Sequence, residues 1–257
     1  MIFARKRFGQ HFLHDPGVIH RILSAIDAKP GDAVVEIGPG RGALTQALLE
    51  AAGTLDAIEI DRDLAAQLRD SFQGRALTLH EADALRFDFA ALARERGARL
   101  RVVGNLPYNV STPLLFHLLE HPRAIADLHV MLQKEVIDRI VAAPGSGDYG
   151  RLTVMLAPWI RAERLFDVGP GAFRPPPRVW SAVARLEMRE RPAFDVDERF
   201  GRVVAAAFAQ RRKTLRNALR SLLDATAIES AGVDPGARPE TLSPEAFGAL
   251  ARLLPTG

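Results

Sequence analysis

The chain has 257 residues, a formal net charge of +3, 47% hydrophobic residues and no cysteine. That length suits one large domain with a small appendix, or two domains, and the apolar share is enough for a substantial core. The lack of cysteine excludes disulfides, thiolate metal sites and a cysteine nucleophile, and no metal site is expected. No apolar run approaches a secretory signal or the roughly 18 residues of a membrane span, so a cytoplasmic protein with no membrane contact is expected.

The first patterned stretch is Arg5-Lys6-Arg7-Phe8-Gly9-Gln10-His11-Phe12-Leu13. A solvated tail has no need of two Phe and a Leu, so this arm is read as folding over something, with Arg5, Lys6 and Arg7 left for phosphates. Asp15-Pro16 caps a helix with Val18, Ile19, Ile22, Leu23 and Ile26 at helical spacing. Ala33 to Gly38 reads as a buried strand. Gly38-Pro39-Gly40-Arg41-Gly42 follows, then a helix from Ala43 to Ala52. A Gly-rich turn before a helix lets backbone approach a ligand closely and offers unpaired N–H groups.

Strand Thr54 to Ile60 places Glu59 near its C-terminal end, suited to hydrogen bonding a ribose diol. Helix Arg62 to Phe72 and strand Ala76 to His80 lead to Asp83, suited to accepting from an adenine amino group. Strand Leu100 to Val103 ends at Gly104-Asn105-Leu106-Pro107-Tyr108. Further strands are expected at Leu128 to Leu132, Leu165 to Val168 and Trp180 to Met188. In the last of these, Trp180, Ala182, Ala184 and Leu186 share one face. The alternating order predicts a parallel, doubly wound α/β sheet with ligands at the carboxyl edge of its strands.

Gly38-x-Gly40-x-x-Ala43 fits the dinucleotide fingerprint, yet no hydride-handling site stands out. S-adenosylmethionine uses the same sheet edge and carries no pyrophosphate for Glu36 to repel. The balance favours the methyl donor over a nicotinamide dinucleotide.

Asn105 to Tyr108 supplies a side-chain amide, a main-chain carbonyl held out of helix by the following proline, and an aromatic ring. An amide carbonyl and a main-chain carbonyl together accept two hydrogens from one amino group. The ring stacks on the base that carries it. The group this suits is the exocyclic amine of an unstacked base. Downstream, Pro175-Pro176-Pro177 stiffens a segment that is expected to hold Phe173 on a surface loop. Composition shifts near Glu190-Arg191-Pro192, which divides the chain into residues 1–189 and a small all-helical domain, 190–257. There, a helix is expected from Asp197 to Leu223. It carries Arg211, Arg212, Lys213, Arg216 and Arg220, with no acid between Gly201 and Ser221, a pattern that suits phosphate binding.

In combination and in order, Phe8 to Leu13, Glu36 to Gly40, Glu59-Ile60-Asp61, Gly104 to Tyr108, Leu132 to Glu135, Phe173-x-Pro175-Pro176-Pro177 and Gln210 to Thr214 resemble the ribosomal RNA adenine dimethyltransferases, in particular the kasugamycin-sensitivity type. The resemblance spans nearly the whole chain. It implies a seven-stranded, Rossmann-like, S-adenosylmethionine-dependent methyltransferase domain with a small helical C-terminal domain. It further implies transfer of two methyl groups to the amine of each of two adjacent adenines near the 3′ end of small-subunit (16S) rRNA, on a pre-assembled subunit. The family's cofactor positions fall on His11, Leu13, Gly38, Glu59, Asp83 and Asn105. Its target-base positions fall on Asn105, Leu106, Pro107 and Tyr108, with Phe173 as a second stacking ring. Two residues depart from many members: His11 stands in place of Asn, and Trp180 in place of Asp. Other readings are a ribosome-assembly binding factor with incidental methylation, or a methyltransferase acting on another RNA, on DNA or on protein glutamine. No interface pattern stands out, and a monomer is expected.

Overall fold

A computed structural model describes residues 10–107, 110–210 and 212–255. Its first strand, β1 (Phe12–Leu13), is followed by α1 (Pro16–Ile26). The Asp15 side chain accepts from the Val18 N–H and Pro16 opens the helix, the N-terminal chemistry read from sequence. Then come β2 (Val34–Ile37), α2 (Thr45–Ala52), β3 (Leu55–Glu59), α3 (Arg62–Ser71), β4 (Leu77–Glu81), α4 (Phe89–Arg96), β5 (Leu100–Asn105), α5 (Ser111–Leu119) and β6 (Ile125–Gln133). After α6 (Lys134–Ile140) and α7 (Arg151–Leu156) lie β7 (Ile160–Val168), β8 (Phe173–Arg174) and β9 (Ser181–Met188). The helices α8 (Glu198–Phe208), α9 (Leu215–Ala218), α10 (Ala225–Ser230) and α11 (Pro244–Arg252) complete the chain.

Seven strands form one sheet in the order β4-β3-β2-β5-β6-β9-β7. The pairs from β4 to β6 are parallel, and β9 runs antiparallel to β6. The chain leaves β2 towards β3 and β4, then returns to β5 on the other side. That reversal opens a crevice at the carboxyl ends of β2 and β5. The fold is the Rossmann-like α/β architecture expected. Every residue of β2 and β3 is buried, as central parallel strands covered on both faces must be. Leu48, Leu49 and Ile26 pack in the same core cluster as Val34, Val103 and Met131.

Contacts divide the chain into two units. The first comprises the residues up to Ile137 together with Ala162–Met188. The second comprises Asp138–Arg161 and the residues from Arg189 onward. The division expected from composition, 1–189 and 190–257, therefore misses that Asp138–Arg161 groups with the C-terminal residues. The reason is packing: Tyr149 and Val154 share a core with Phe200, Val204, Phe247 and Leu250, and the Tyr149 hydroxyl donates to the Leu242 carbonyl at 2.7 Å.

Three local expectations are corrected. The helix expected from Asp197 to Leu223 is two helices. Between them Arg212 sits at φ +81°, and the N–H groups of Leu215 and Arg216 bond to the carbonyls of Ala237 and Pro235 instead of to a preceding turn. Phe173 is not on a surface loop: it is 2% exposed, pairs with Leu13 across β1 and β8, and packs in the sheet's core cluster. Trp180 lies just before β9 and is 55% exposed, apart from the buried face of Ala182, Ala184 and Leu186. No helix among the described residues is long and apolar enough to cross a membrane.

Candidate active site

A single cavity is lined by all six expected cofactor positions, His11, Leu13, Gly38, Glu59, Asp83 and Asn105, and by Leu106 and Pro107. They arrive from the ends of β1, β2, β3, β4 and β5, which is why spacing in sequence is large and spacing in space is small. Tyr108, Arg5, Lys6, Arg7 and Arg211 lie outside the described residues.

The floor of the cavity is the turn after β2. Gly38 has φ +66° and Gly40 has φ +58°, conformations that side chains disfavour. A Cβ at Gly40 would also stand 3.2 Å from the Phe12 ring. Phe12 therefore roofs the turn, and the Arg41 guanidinium lies 4.5 Å from the centre of the same ring. The Gln10 amide donates to Asp61 at 3.1 Å, a second tie across the cavity. The described part of the N-terminal segment, residues 10–13, thus folds over the Gly-rich turn.

Two buried acids face this turn. Glu59, 5% exposed, accepts from the N–H of Gly40 at 3.2 Å and of Asp61 at 2.9 Å. Burial raises its pKa in spite of these bonds. Glu36, 3% exposed, accepts from the Thr45 hydroxyl at 2.6 Å. Burial, opposed by that hydrogen bond and reinforced by the Glu59 charge, pushes its pKa up to about 7. The Thr45 partner was not found in sequence; a hydroxyl opening the helix after a Gly-rich turn was the available signal. Asp83 lines the far wall and accepts from the Leu85 N–H at 3.0 Å.

The raised pKa of Glu36 has a consequence for stability. In the unfolded chain the group titrates near 4.5, and in the fold near 7. Between those values the fold holds a proton that the unfolded chain has lost. The contribution is complete below pH 4.5 and falls as pH rises to 7, by about 3 kcal/mol at most. Glu36→Gln keeps a neutral hydrogen-bonding group, and should flatten this part of the stability profile in urea unfolding measured from pH 5 to 8. A parallel profile for the two proteins would contradict the assignment.

At the other wall, the Asn105 side chain donates from Nδ2 to the His11 carbonyl at 3.1 Å. A carbonyl can only accept, so the amide is oriented and Oδ1 is its other end, free of that bond. The next N–H, of Leu106, donates to the Met131 carbonyl at 3.1 Å, and the Leu106 side chain is buried. The Asn105 side chain and the Leu106 backbone are thereby held in place. The His11 ring closes the circuit: its Nδ1 lies 2.8 Å from the Pro175 carbonyl, which again can only accept. His11 serves the site through its backbone and as a strut to the proline segment. Phe173 is buried in the core and does not line the cavity.

The family model described as ribosomal RNA adenine dimethylase matches residues 2–254. The chain belongs to that family. Ribosomal RNA small subunit methyltransferase A of Pseudomonas aeruginosa is 56% identical over 254 residues, covering 98% of this chain and 94% of the relative. The protein of the same name from Methylococcus capsulatus is 55% identical over 252 residues, covering 97% of each. Among solved structures, the 23S rRNA methyltransferase ErmE superposes with a TM-score of 0.72 at 30% identity, covering 95% of this chain and 99% of that chain. A dimethyladenosine transferase from Plasmodium falciparum gives a TM-score of 0.80 at 24% identity, covering 93% and 96%, and shares the fold.

Proposed function

We propose that this chain transfers two methyl groups from S-adenosylmethionine to the exocyclic amine of each of two adjacent adenines near the 3′ end of small-subunit rRNA, acting as a monomer on an assembling small subunit. The observation that carries the reading is the oriented amide of Asn105 beside the fixed Leu106 backbone, at the edge of a cavity whose Gly-rich turn is flanked by buried acids. Those acids also test the cofactor. A pyrophosphate would face Glu36 and Glu59, whereas the ammonium and sulfonium of the methyl donor would offset the cost of burying these acids by charge attraction. The residues present therefore fit the methyl donor. Glu59 and Asp83 would hold its ribose and adenine amine, and the exposed Ile60 at the rim would cover the adenine. Gly38 and Gly40 leave room for the amino-acid end.

When bound, the donor supplies an electrophilic methyl group. The chain supplies position and polarisation. The adenine amine is a weak nucleophile because its lone pair is delocalised into the ring. Asn105 Oδ1 and the Leu106 carbonyl accept its two hydrogens and raise electron density on nitrogen. No side-chain base is required. With Phe173 in the core, Tyr108 is the ring this reading leaves to stack on the target, at roughly 1–3 kcal/mol. After the first transfer one N–H remains, so one acceptor is released and the amine turns.

Residues 190–257 hold the RNA or the subunit surface in this reading, with the N-terminal arm. Arg212, Lys213, Arg216 and Arg220 are all exposed, and among the described residues none has an ion-pair partner. Charge reversal at Arg211, Arg212 and Lys213 should weaken subunit binding and reduce the slope of log affinity against log salt by about 0.7 for each phosphate no longer neutralised. Sedimentation of subunits with the variant across a salt series measures this. An unchanged slope assigns the cluster to solvent.

The reaction itself is tested by counting methyl groups transferred from labelled S-adenosylmethionine to small subunits that lack the modification. Incorporation into these subunits, and none into subunits already modified, is expected. Binding of subunits without incorporation would favour the assembly-factor reading.

A further inference from the structure

Trp180 is 55% exposed and its neighbour Val179 is 44% exposed, although both sit next to an ordered strand. The cavity does not include either residue. The ring is nonetheless placed with care. The Trp180 carbonyl accepts from the Lys134 N–H at 2.9 Å, which pins its backbone to the end of β6. The ring's outer edge lies over Gly169, where a side chain would begin 3.6 Å away. A large aromatic surface is thus held on a rigid base and left open to solvent.

Its neighbours in sequence are cationic. Arg174 and Arg178 are exposed, and among the described residues neither has an ion-pair partner. No acid occurs between Val168 and Leu186. The three prolines 175–177 stiffen the segment that bears these residues. This segment is also coupled to the site of transfer: the His11 ring reaches the Pro175 carbonyl at 2.8 Å, and the His11 carbonyl takes the Asn105 amide at 3.1 Å. His11 thus bridges the proline segment and Asn105.

We infer that Trp180, flanked by Arg174 and Arg178, is a stacking platform for an unpaired base of the RNA substrate, outside the pocket of the target adenine. The inference rests on the RNA reading proposed above. An open π-face takes any base, and exposed guanidinium groups two and six residues before it in the chain would take neighbouring phosphates, which is the chemistry of single-strand binding. An acidic protein surface would also pair with these arginines; the RNA reading proposed above is what favours a base.

The test uses the full chain with two probes, a single-stranded RNA of about ten nucleotides and small subunits lacking the modification. The RNA should quench tryptophan emission of the wild-type chain. Trp180→Phe should lose that quenching while keeping affinity within about twofold, because a phenyl ring still stacks. Trp180→Ala should raise KM for subunits about tenfold at unchanged kcat. Quenching that persists in Trp180→Phe, or a KM that does not move in Trp180→Ala, overturns the platform. Quenching by small-subunit proteins freed of RNA, and none by RNA, also overturns it and gives the surface to a protein. If the wild-type chain methylates no subunits, the proposed reaction falls, and the oligonucleotide titration alone decides the role of Trp180.

Discussion

Asn105→Ala is expected to lower the single-turnover rate of methyl transfer by about 10²-fold, with a much smaller change in affinity for S-adenosylmethionine. The amide has two ends and both are used in this account. Nδ2 is committed to the His11 carbonyl at 3.1 Å, and Oδ1 is held for the target amine. Alanine removes the acceptor and leaves a carbonyl without its donor, a further cost of about 1 kcal/mol. Asn105→Asp is the sharper probe. It keeps an acceptor, but sets a carboxylate oxygen against the His11 carbonyl, so the ring and backbone of His11 must move. It is expected to be as slow as alanine and to loosen the N-terminal segment, seen as faster hydrogen exchange at Phe12 and Leu13. An alanine variant within tenfold of wild type in single turnover would remove Asn105 from the chemistry.

Gly104→Ala is expected to damage both fold and activity, although glycine to alanine is the smallest change available. A Cβ there would lie 2.8 Å from the Ile37 carbonyl oxygen and 2.8 Å from the Leu106 side chain. The leucine could rotate. The Ile37 oxygen is backbone in β2, whose register with β5 sets Ile37 opposite Gly104, so the strands must part or β5 must shift. Overpacking of this kind costs about 1–3 kcal/mol. The effect on rate should be larger than the effect on stability, because Asn105 and Leu106 are the next two residues and a displacement of about 1 Å can cost 10²-fold. Gly171→Ala, with nothing within 4 Å of the added carbon, is the control and should behave as wild type. Urea unfolding and turnover, measured on both variants, separate the two effects. Equal behaviour of Gly104→Ala and Gly171→Ala would contradict the packing argument.

The sheet was legible because parallel strands buried on both faces read as short apolar runs, as in Val34-Val35 and Val102-Val103. The site was legible because the acids and the Asn fall where those runs stop. The pairing of Phe12–Leu13 with Phe173–Arg174 was not. Two-residue strands carry no periodicity, and their partner is distant in sequence. That pairing is what buries Phe173, so the prolines after it pointed wrongly to a surface aromatic. Helix α4 offers only Phe89 and Leu92 to the core, too few to mark it. The break before α9 contains neither Gly nor Pro in its basic run; carbonyls of Pro235 and Ala237, supplied from elsewhere in the fold, take over its N–H groups. The grouping of Asp138–Arg161 with the C-terminal helices likewise depends on packing rather than on composition.

The most direct measurement of the central claim is nucleoside mass spectrometry of small-subunit RNA after incubation with this chain and S-adenosylmethionine. The account predicts N6,N6-dimethyladenosine at two adjacent positions, preceded in time by the monomethyl form as one acceptor is released between transfers. Methylation confined to another base, or to a ring nitrogen of adenine, would contradict the placing of the exocyclic amine between Asn105 and Leu106.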